Sequence, residues 1–458
     1  MKILLASICI ITSIGAINLS YAEEKNKEER TDKKNAEEET VTFEDALLGA
    51  YNNSKEWSAR KVEKSMADEK LSQAKMLFLP TVSATFGASR TKTEARRSYY
   101  GVVLKEERKS TGTTVGVKLQ QNVFNGFSTM NSIKAAEHES LASSYKLKID
   151  EEKLILDVTE KYTAVCYARQ KVLASKKMEE NLYKTFLSQK SRLEVGYGTP
   201  ADVAAANANY QKAFFDRTQS ETELFSAESE FEKLTGLKVG KNMKLPELNI
   251  DLPKTLKELM AMAMKANNTI LYTKQAEQAA TKNLDATRGR LAPSCDLVLD
   301  AGRRLDKETM NDSRNTYNAA VEVTVPIVAC NSNGNAYSAI ELARQSELKT
   351  RFEAEDAIRE TKKNCIVNWN TYALVTVMIK ASRSAVQSAE LSSEDNMEET
   401  NMGLKSNVDI WDKENRLLES RLSLADSQRK KVITAIRLEI LTGRLNVQTL
   451  LNSIKSIR

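Results

Sequence analysis

Histidine is almost missing from this chain: His138 is the single one among 458 residues. No histidine cluster can form, so the usual zinc centres are excluded, and His138 itself is expected on a solvated helix face. Cysteine is sparse and wrongly spaced for metal or redox work. Beyond Cys9 the chain has only Cys166, Cys295, Cys330 and Cys365, and no two make a C-x-x-C. Aromatics are 6% of the composition, too few for a compact enzyme core but ordinary for long helices packed on narrow stripes. No phosphate loop is present. The nearest stretch, Gly236 to Asn242, is one residue short between its glycines and has no Ser or Thr after Lys241. Gly196-Tyr197-Gly198 is a turn, not a dinucleotide fingerprint. The net charge of +6 is small for this length, and no basic stripe is interleaved with aromatics, which argues against nucleic acid as a partner. After the N-terminal segment no run approaches the roughly 18 apolar residues of a membrane-spanning helix. Neither catalysis nor a cofactor is expected.

What is present begins with an export signal. Residues 1–22 carry Lys2, an apolar run from Ile3 to Ile17, and Ser20-Tyr21-Ala22 as a small-x-small cleavage site. Cys9 lies inside the apolar run, so no lipid anchor is expected. Residues 23–40 are nearly all charged or amide and read as a spacer that buries no face.

The rest is a plan written twice, over 41–236 and 255–443, with a linker at 237–254 and a C-terminal segment at 444–458. Thr42–Leu79 reads as a helix ended by Pro80. Thr81–Ser89 and Val115–Leu119 alternate like strands, with a basic loop from Arg90 to Lys109 between them and Asn125-Gly126 closing the hairpin. Ser128–Val195 is a very long helix whose stripe, Leu154, Val158, Tyr162, Val165 and Val172, is interrupted by Arg169. Ala201–Leu234 returns at about half that length. The second pass gives a helix at Thr255–Leu291, strands at Cys295–Ala301 and Ala319–Val325, a long helix at Asn335–Met402 and a return at Val408–Leu441. Gly196 and Gly403, Asp202 and Asp409, and Gly236 and Gly443 each stand 207 positions apart. Two helical hairpins of equal arm length are therefore expected, without an insertion between these markers. Each pair of short helices, set end to end, matches one long helix of about 100 Å. The fold class is mainly α with a small β part: long coiled-coil helices plus four strands.

Four strands cannot close a barrel, for which about eight is the minimum. Several chains must pool them; a dimer would give eight and a trimer twelve, and the residues do not choose between these. Cys295 opens one strand and Cys330 follows the next, so a disulfide between them is a candidate.

The two tip turns, Val195-Gly196-Tyr197 and Met402-Gly403-Leu404, together with the aspartates that follow them, resemble the TolC family of outer-membrane efflux and secretion ducts. The resemblance covers nearly all of the chain after the first forty residues. It implies a homotrimer with a β-barrel in outer-membrane lipid and an α-barrel in the periplasm of a Gram-negative cell. Its partners would be a periplasmic adaptor and an inner-membrane pump or ABC transporter, and its cargo drugs or secreted proteins. The tip turns become the adaptor contacts. Lys405 and Asp202 match the family's closing link, although Lys stands for Arg and Thr400 replaces the family's tyrosine. Asp409 and Asp412 lie one helical turn apart at the start of the return helix, where the family carries its aspartate rings. Around a three-fold axis the pair would form two stacked rings of like charge, binding cations or protons. The rival reading is a periplasmic coiled-coil structural protein or adhesin that transports nothing.

Overall fold

The computed structural model describes residues 41–99, 102–240, 243–246, 252–306, 312–326, 330–331, 334–401 and 407–455. The signal and spacer segments lie outside them. The elements in order are α1 (Phe43–Asn53), α2 (Lys55–Met76), β1 (Thr81–Tyr99), β2 (Val102–Asn125), α3 (Ser128–Glu194), α4 (Pro200–Thr235), α5 (Leu256–Ala266), α6 (Asn268–Gly289), β3 (Ser294–Asp306), β4 (Asp312–Thr324), the two-residue strands β5 (Cys330–Asn331) and β6 (Gly334–Asn335), α7 (Ala336–Asn401), α8 (Asn407–Thr442) and α9 (Val447–Lys455). No helix among the described residues is long and apolar enough to cross a membrane. Two compact units emerge. A helical unit draws on 41–59, 149–267 and 361–455; a sheet unit draws on 60–148 and 268–360.

The helical unit is centred on aromatic contacts at the stripe seen in the sequence. Phe43 meets Tyr162 edge-on at 5.3 Å between ring centroids, and Tyr162 meets Phe231 at 6.2 Å. Leu154, Val158 and Val165 are buried beside them. Arg169, which breaks the stripe, donates to the Gly240 carbonyl at 2.6 Å and to Glu228 at 3.1 Å, so its charge is spent inside the fold. A second cluster joins Leu259, Ala263, Cys365, Leu438 and Leu441, flanked by Trp369 and Tyr372. Burial pushes the Cys166 thiol up to about 11 and raises that of Cys365, so both behave as small apolar groups.

The first helix of each half is not continuous. Ser54, at φ −62° and ψ 118°, leaves the helix between α1 and α2, and Asn267 does the same between α5 and α6 at φ −61° and ψ 126°. The side-chain amide of Asn53 donates to the Thr235 carbonyl at 3.0 Å, and that of Asn267 to the Leu441 carbonyl at 3.4 Å. Each break thus supplies a donor to a carbonyl that the end of a return helix leaves without an intrahelical partner. The glycine that follows each return helix is left-handed, Gly236 at φ 69° and Gly443 at φ 70°. At Gly443 an added Cβ would overlap the Ala266 carbonyl, so the position admits no other residue without a shift. The C-terminal segment also forms an element, α9, whose first N–H, from Val447, is held by Glu151 at 3.2 Å.

In the sheet unit the four long strands form one antiparallel sheet in the order β1-β2-β3-β4. The strands are far longer than their apolar alternation suggested. β1 and β2 stay paired from Thr81↔Gln120 to Tyr99↔Val102, so Arg90 to Tyr99 and Val102 to Lys109 are ladder and not loop. Ladder hydrogen bonds use backbone only, and polar side chains on both faces tolerate water, so the hydrophobic pattern under-reports such a strand. Asn125-Gly126 does not close the hairpin. Gly126 (φ 63°) and Phe127 (φ 61°) turn the chain from β2 into α3. There Gly126 lies so close to the Gly289 carbonyl that a side chain would not fit.

The candidate disulfide is absent. Cys295 is free, and its cross-strand partner is Val323, because β4 has ended at Thr324 before Cys330 is reached. His138 is half-buried rather than solvated, with Nδ1 2.9 Å from Gln275 Oε1.

The sheet has two unlike faces. On one, Val82, Ala84, Phe86 and Ala88 of β1 stand beside Leu119, Val117 and Val115 of β2, then Leu297, Leu299 and Ala301 of β3, then Val323, Val321, Ala319 and Tyr317 of β4. The other carries Ser83, Thr85, Lys118, Gln120, Asp296, Asp300, Asn318 and Glu322. The apolar face is bare: Phe86 is 80% exposed, Tyr317 81% and Val321 67%. Neither outer edge, β1 or β4, pairs with another strand among the described residues.

Candidate functional site

The site begins where α3 turns into α4. The helix ends on left-handed Gly196 (φ 84°), with the Tyr197 N–H donating to the Arg192 carbonyl at 2.8 Å and the Gly196 N–H to Leu193 at 3.1 Å. This is the glycine-terminated helix end in which two orphan carbonyls are satisfied together. The turn projects Val195 and Tyr197, the latter 88% exposed, onto a surface that no side chain of the described residues covers. Three residues on, Thr199 caps α4. Its hydroxyl accepts from the Asp202 N–H at 3.2 Å, while the Asp202 carboxylate accepts from the Thr199 N–H at 3.2 Å and from its hydroxyl at 2.7 Å. Pro200 opens the helix, where a missing N–H costs nothing. Asp202 is therefore first of all half of a capping box, a role its spacing after Thr199 encodes.

The second tip is described from Asn407 onward; Met402, Gly403, Leu404 and Lys405 lie outside the described residues. α8 starts at Asn407, so Asp409 sits in its first turn and Asp412 one turn later. The orientation of this helix is fixed by the stripe Trp411, Glu414 and Leu418. Trp411 and Leu418 pack on the buried cluster Met178, Leu182 and Ala213. Lys212 Nζ lies 4.7 Å above the Trp411 ring, and buried Glu414 accepts from the Asn181 amide at 3.1 Å. With that stripe inward, Asp412 falls on the exposed side, in line with Arg416 and Glu419. Position i and i+3 on one helix face each other, which brings the Asp409 position to the same side.

Sequence reasoning missed the Trp411 anchor and a groove of about 520 Å³ between α7 and α8, walled by Ser382, Ala385, Ser388, Lys413, Arg416 and Glu419. The signal for the groove was there: small residues recur on one face of α7. At its end the hydroxyls of Ser382 and Ser423 lie 3.3 Å apart, and Ser175 and Ser220 make the same contact at 3.3 Å between α3 and α4. Ion pairs tie each return helix to its long partner: Arg217 to Glu179 at 2.5 Å, Lys171 to Glu223 at 2.6 Å, Lys161 to Glu230, and Arg421 to Glu390 at 2.8 Å. No group of three or more metal-binding side chains exists among the described residues.

With this geometry in view, comparison with known proteins is direct. The sequence matches the profile of the outer membrane efflux protein family over residues 49–237 and 259–444. It is 26% identical over 412 residues to the outer membrane efflux protein BepC of Brucella suis, covering 89% of this chain and 87% of that protein. It is 22% identical to the outer membrane protein TolC of Escherichia coli, covering 88% of this chain and 83% of that one. The fold is similar to the crystal structure of the Campylobacter jejuni CmeC outer membrane channel, with a TM-score of 0.76 and 14% identity over 91% of this chain and 90% of that chain.

Proposed function

The chain belongs to the outer membrane efflux protein family, and from that premise we propose that three copies assemble into a passive duct. It is an outer-membrane protein, an exit route for efflux or type I secretion. The observation that carries the assembled duct is the four-stranded sheet, with one apolar face bare and both edges open. An open edge and an exposed apolar face are liabilities for a chain that stays alone in water. Three such sheets joined edge to edge give twelve strands, with the apolar face in lipid and the face of Ser83, Thr85, Lys118 and Asp300 towards the lumen. The two halves of each chain, 41–236 and 255–443, are structural repeats in this reading, supported by the two separately matched segments. Energy comes from an inner-membrane pump or ABC transporter, reached through a periplasmic adaptor that docks on Val195-Gly196-Tyr197 and Met402-Gly403-Leu404. The exposure of Val195 and Tyr197 supports that docking.

Asp409 and Asp412 form the selective mouth. Three-fold repetition turns each into a ring, and six carboxylates in a narrow opening favour cations. The exposed Asp412 beside an anchored Trp411 supports this. Lys405 closes the tip against the Asp202 end of α4; because the Asp202 carboxylate also serves its own cap, the link is weak, worth at most about 1 kcal/mol. The test is block of single-channel current by a trivalent cation added on the tip side. Asp409→Ala with Asp412→Ala is expected to retain the assembly and its conductance while losing most of the block. A double variant blocked as tightly as the parent overturns the assignment.

A further inference from the structure

The apolar face of the sheet does not simply fade into polar residues away from the helices; it turns cationic. Side chains alternate across a strand, so even-numbered residues of β1 share one face. Val82, Ala84, Phe86 and Ala88, about 20 Å of strand, are followed on that same face by Arg90, Lys92, Glu94 and Arg96. Across the ladder, Thr111, Lys109 and Glu107 stand opposite Arg90, Lys92 and Glu94. On the neighbouring hairpin one exposed cation, Arg303, follows Leu297, Leu299 and Ala301 on this face, beside Val115 and before Leu305. The opposite face of β1 at the same height offers Ser89, Thr91 and Thr93, without charge. On the second hairpin that opposite face carries exposed Arg304 and Arg314, paired with each other, so height along the strands sets where the cations begin.

Their local partners balance the two lysines and leave the three arginines over. Lys92 and Lys109 face each other directly, an unfavourable like-charge pair. They share Glu107, at 3.1 and 3.4 Å, and Lys92 also meets Glu94 at 2.6 Å. Two carboxylates thus serve this group, and no described carboxylate pairs with Arg90, Arg96 or Arg303. All five cations are exposed.

We propose that this face is a binding surface for phosphorylated glycolipid headgroups of the outer leaflet. The inference rests on the duct reading, which puts the apolar band in lipid and the hairpin ends beyond it on the side away from the helices. A cation directly above a lipid-facing band meets the headgroup layer first. Closely set Arg and Lys side chains suit phosphate, Arg through a planar fork and Lys as a point charge. Thr111 adds a hydroxyl donor within the group.

The experiment measures retention of three lipids by the full-length protein in detergent: diphosphorylated lipid A, its dephosphorylated form, and phosphatidylglycerol. The parent is expected to retain diphosphorylated lipid A at least about tenfold better than the dephosphorylated form, better than phosphatidylglycerol, and less in high salt. Substituting Arg90→Gln, Lys92→Gln, Arg96→Gln and Lys109→Gln together is expected to remove that preference. Lys118→Gln, on the opposite face, is expected to leave it intact. Equal retention of phosphorylated and dephosphorylated lipid by the parent overturns the proposal, as does equal retention of phosphatidylglycerol. A Lys118→Gln variant that loses the preference as fully as the fourfold variant also overturns it. Conductance in a phosphatidylcholine bilayer, which lacks anionic lipid, separates this from the duct reading. A parent that conducts there but shows no lipid preference has lost only the headgroup site. A parent that shows the preference but never conducts has lost the duct.

Discussion

The rings at the centre of the helical unit and the rings on the apolar face of the sheet meet opposite fates. In the helical unit Phe231 is fully buried and Tyr162 is 2% exposed, each against another ring. In the sheet unit Phe86 and Tyr317 are about four-fifths exposed, on a face where every neighbouring strand also presents an apolar side chain. The helical unit buries a core of its own, although Phe215 and Phe225 stay 64% and 73% exposed on α4. The apolar face of the sheet has no such core, and in the proposed duct lipid and further copies complete it. The buried rings hold the helices of one chain together, whereas the rings of the sheet face the surface that the proposed barrel turns to lipid.

The comparison breaks most visibly at the core. Phe231→Ala removes a ring that nothing else in the helical unit can replace and is expected to cost about 3–5 kcal/mol, read as an earlier loss of helix in denaturant. The matching change in the sheet acts elsewhere. Val321→Arg, on the bare face of β4, is expected to leave the denaturant midpoint of the helices near that of the parent. It should cost about 2–4 kcal/mol in membrane insertion, seen as a fall in the membrane-inserted fraction. If Val321→Arg shifts helix unfolding as strongly as Phe231→Ala, the two units are not distinct in this way. The smallest effect sharpens the contrast between the two tips. Thr199→Ala removes the cap of α4 and is expected to cost about 1 kcal/mol of helix stability while also freeing the Asp202 carboxylate. A stability loss with unchanged channel closure assigns Asp202 to the cap alone.

Much of this could be read from residue types and spacing. The stripe Leu154-Val158-Tyr162-Val165 is the core stripe of α3, and the paired glycines Gly236 and Gly443 are the ends of the two return helices. Helical periodicity and glycine chemistry are local, so the sequence states them directly. The breaks at Ser54 and Asn267 were not legible, because an asparagine inside a helix is tolerated. What fixes these breaks is a donor–acceptor contact with a residue far along the chain. The strand ends were hidden for a different reason: just beyond the apolar band, over Ser89–Glu94 and Glu107–Ser110, both faces of the β1–β2 ladder are polar, and the period of two leaves no hydropathy signal there. At the tips, Thr199 with Asp202 is a visible capping box, whereas the inward turn of Trp411 depends on Met178, Leu182 and Lys212 from other helices and has no local signature.

The central claim is that the four strands of one chain are a fragment of a barrel. Native mass spectrometry of the full-length protein, extracted from membranes in mild detergent and released intact from the micelle, tests it most directly. The account predicts a single dominant species of three chains, with the helices folded by circular dichroism of the same sample. A folded, monodisperse species of one chain, with the apolar face of the sheet left to detergent, would contradict it.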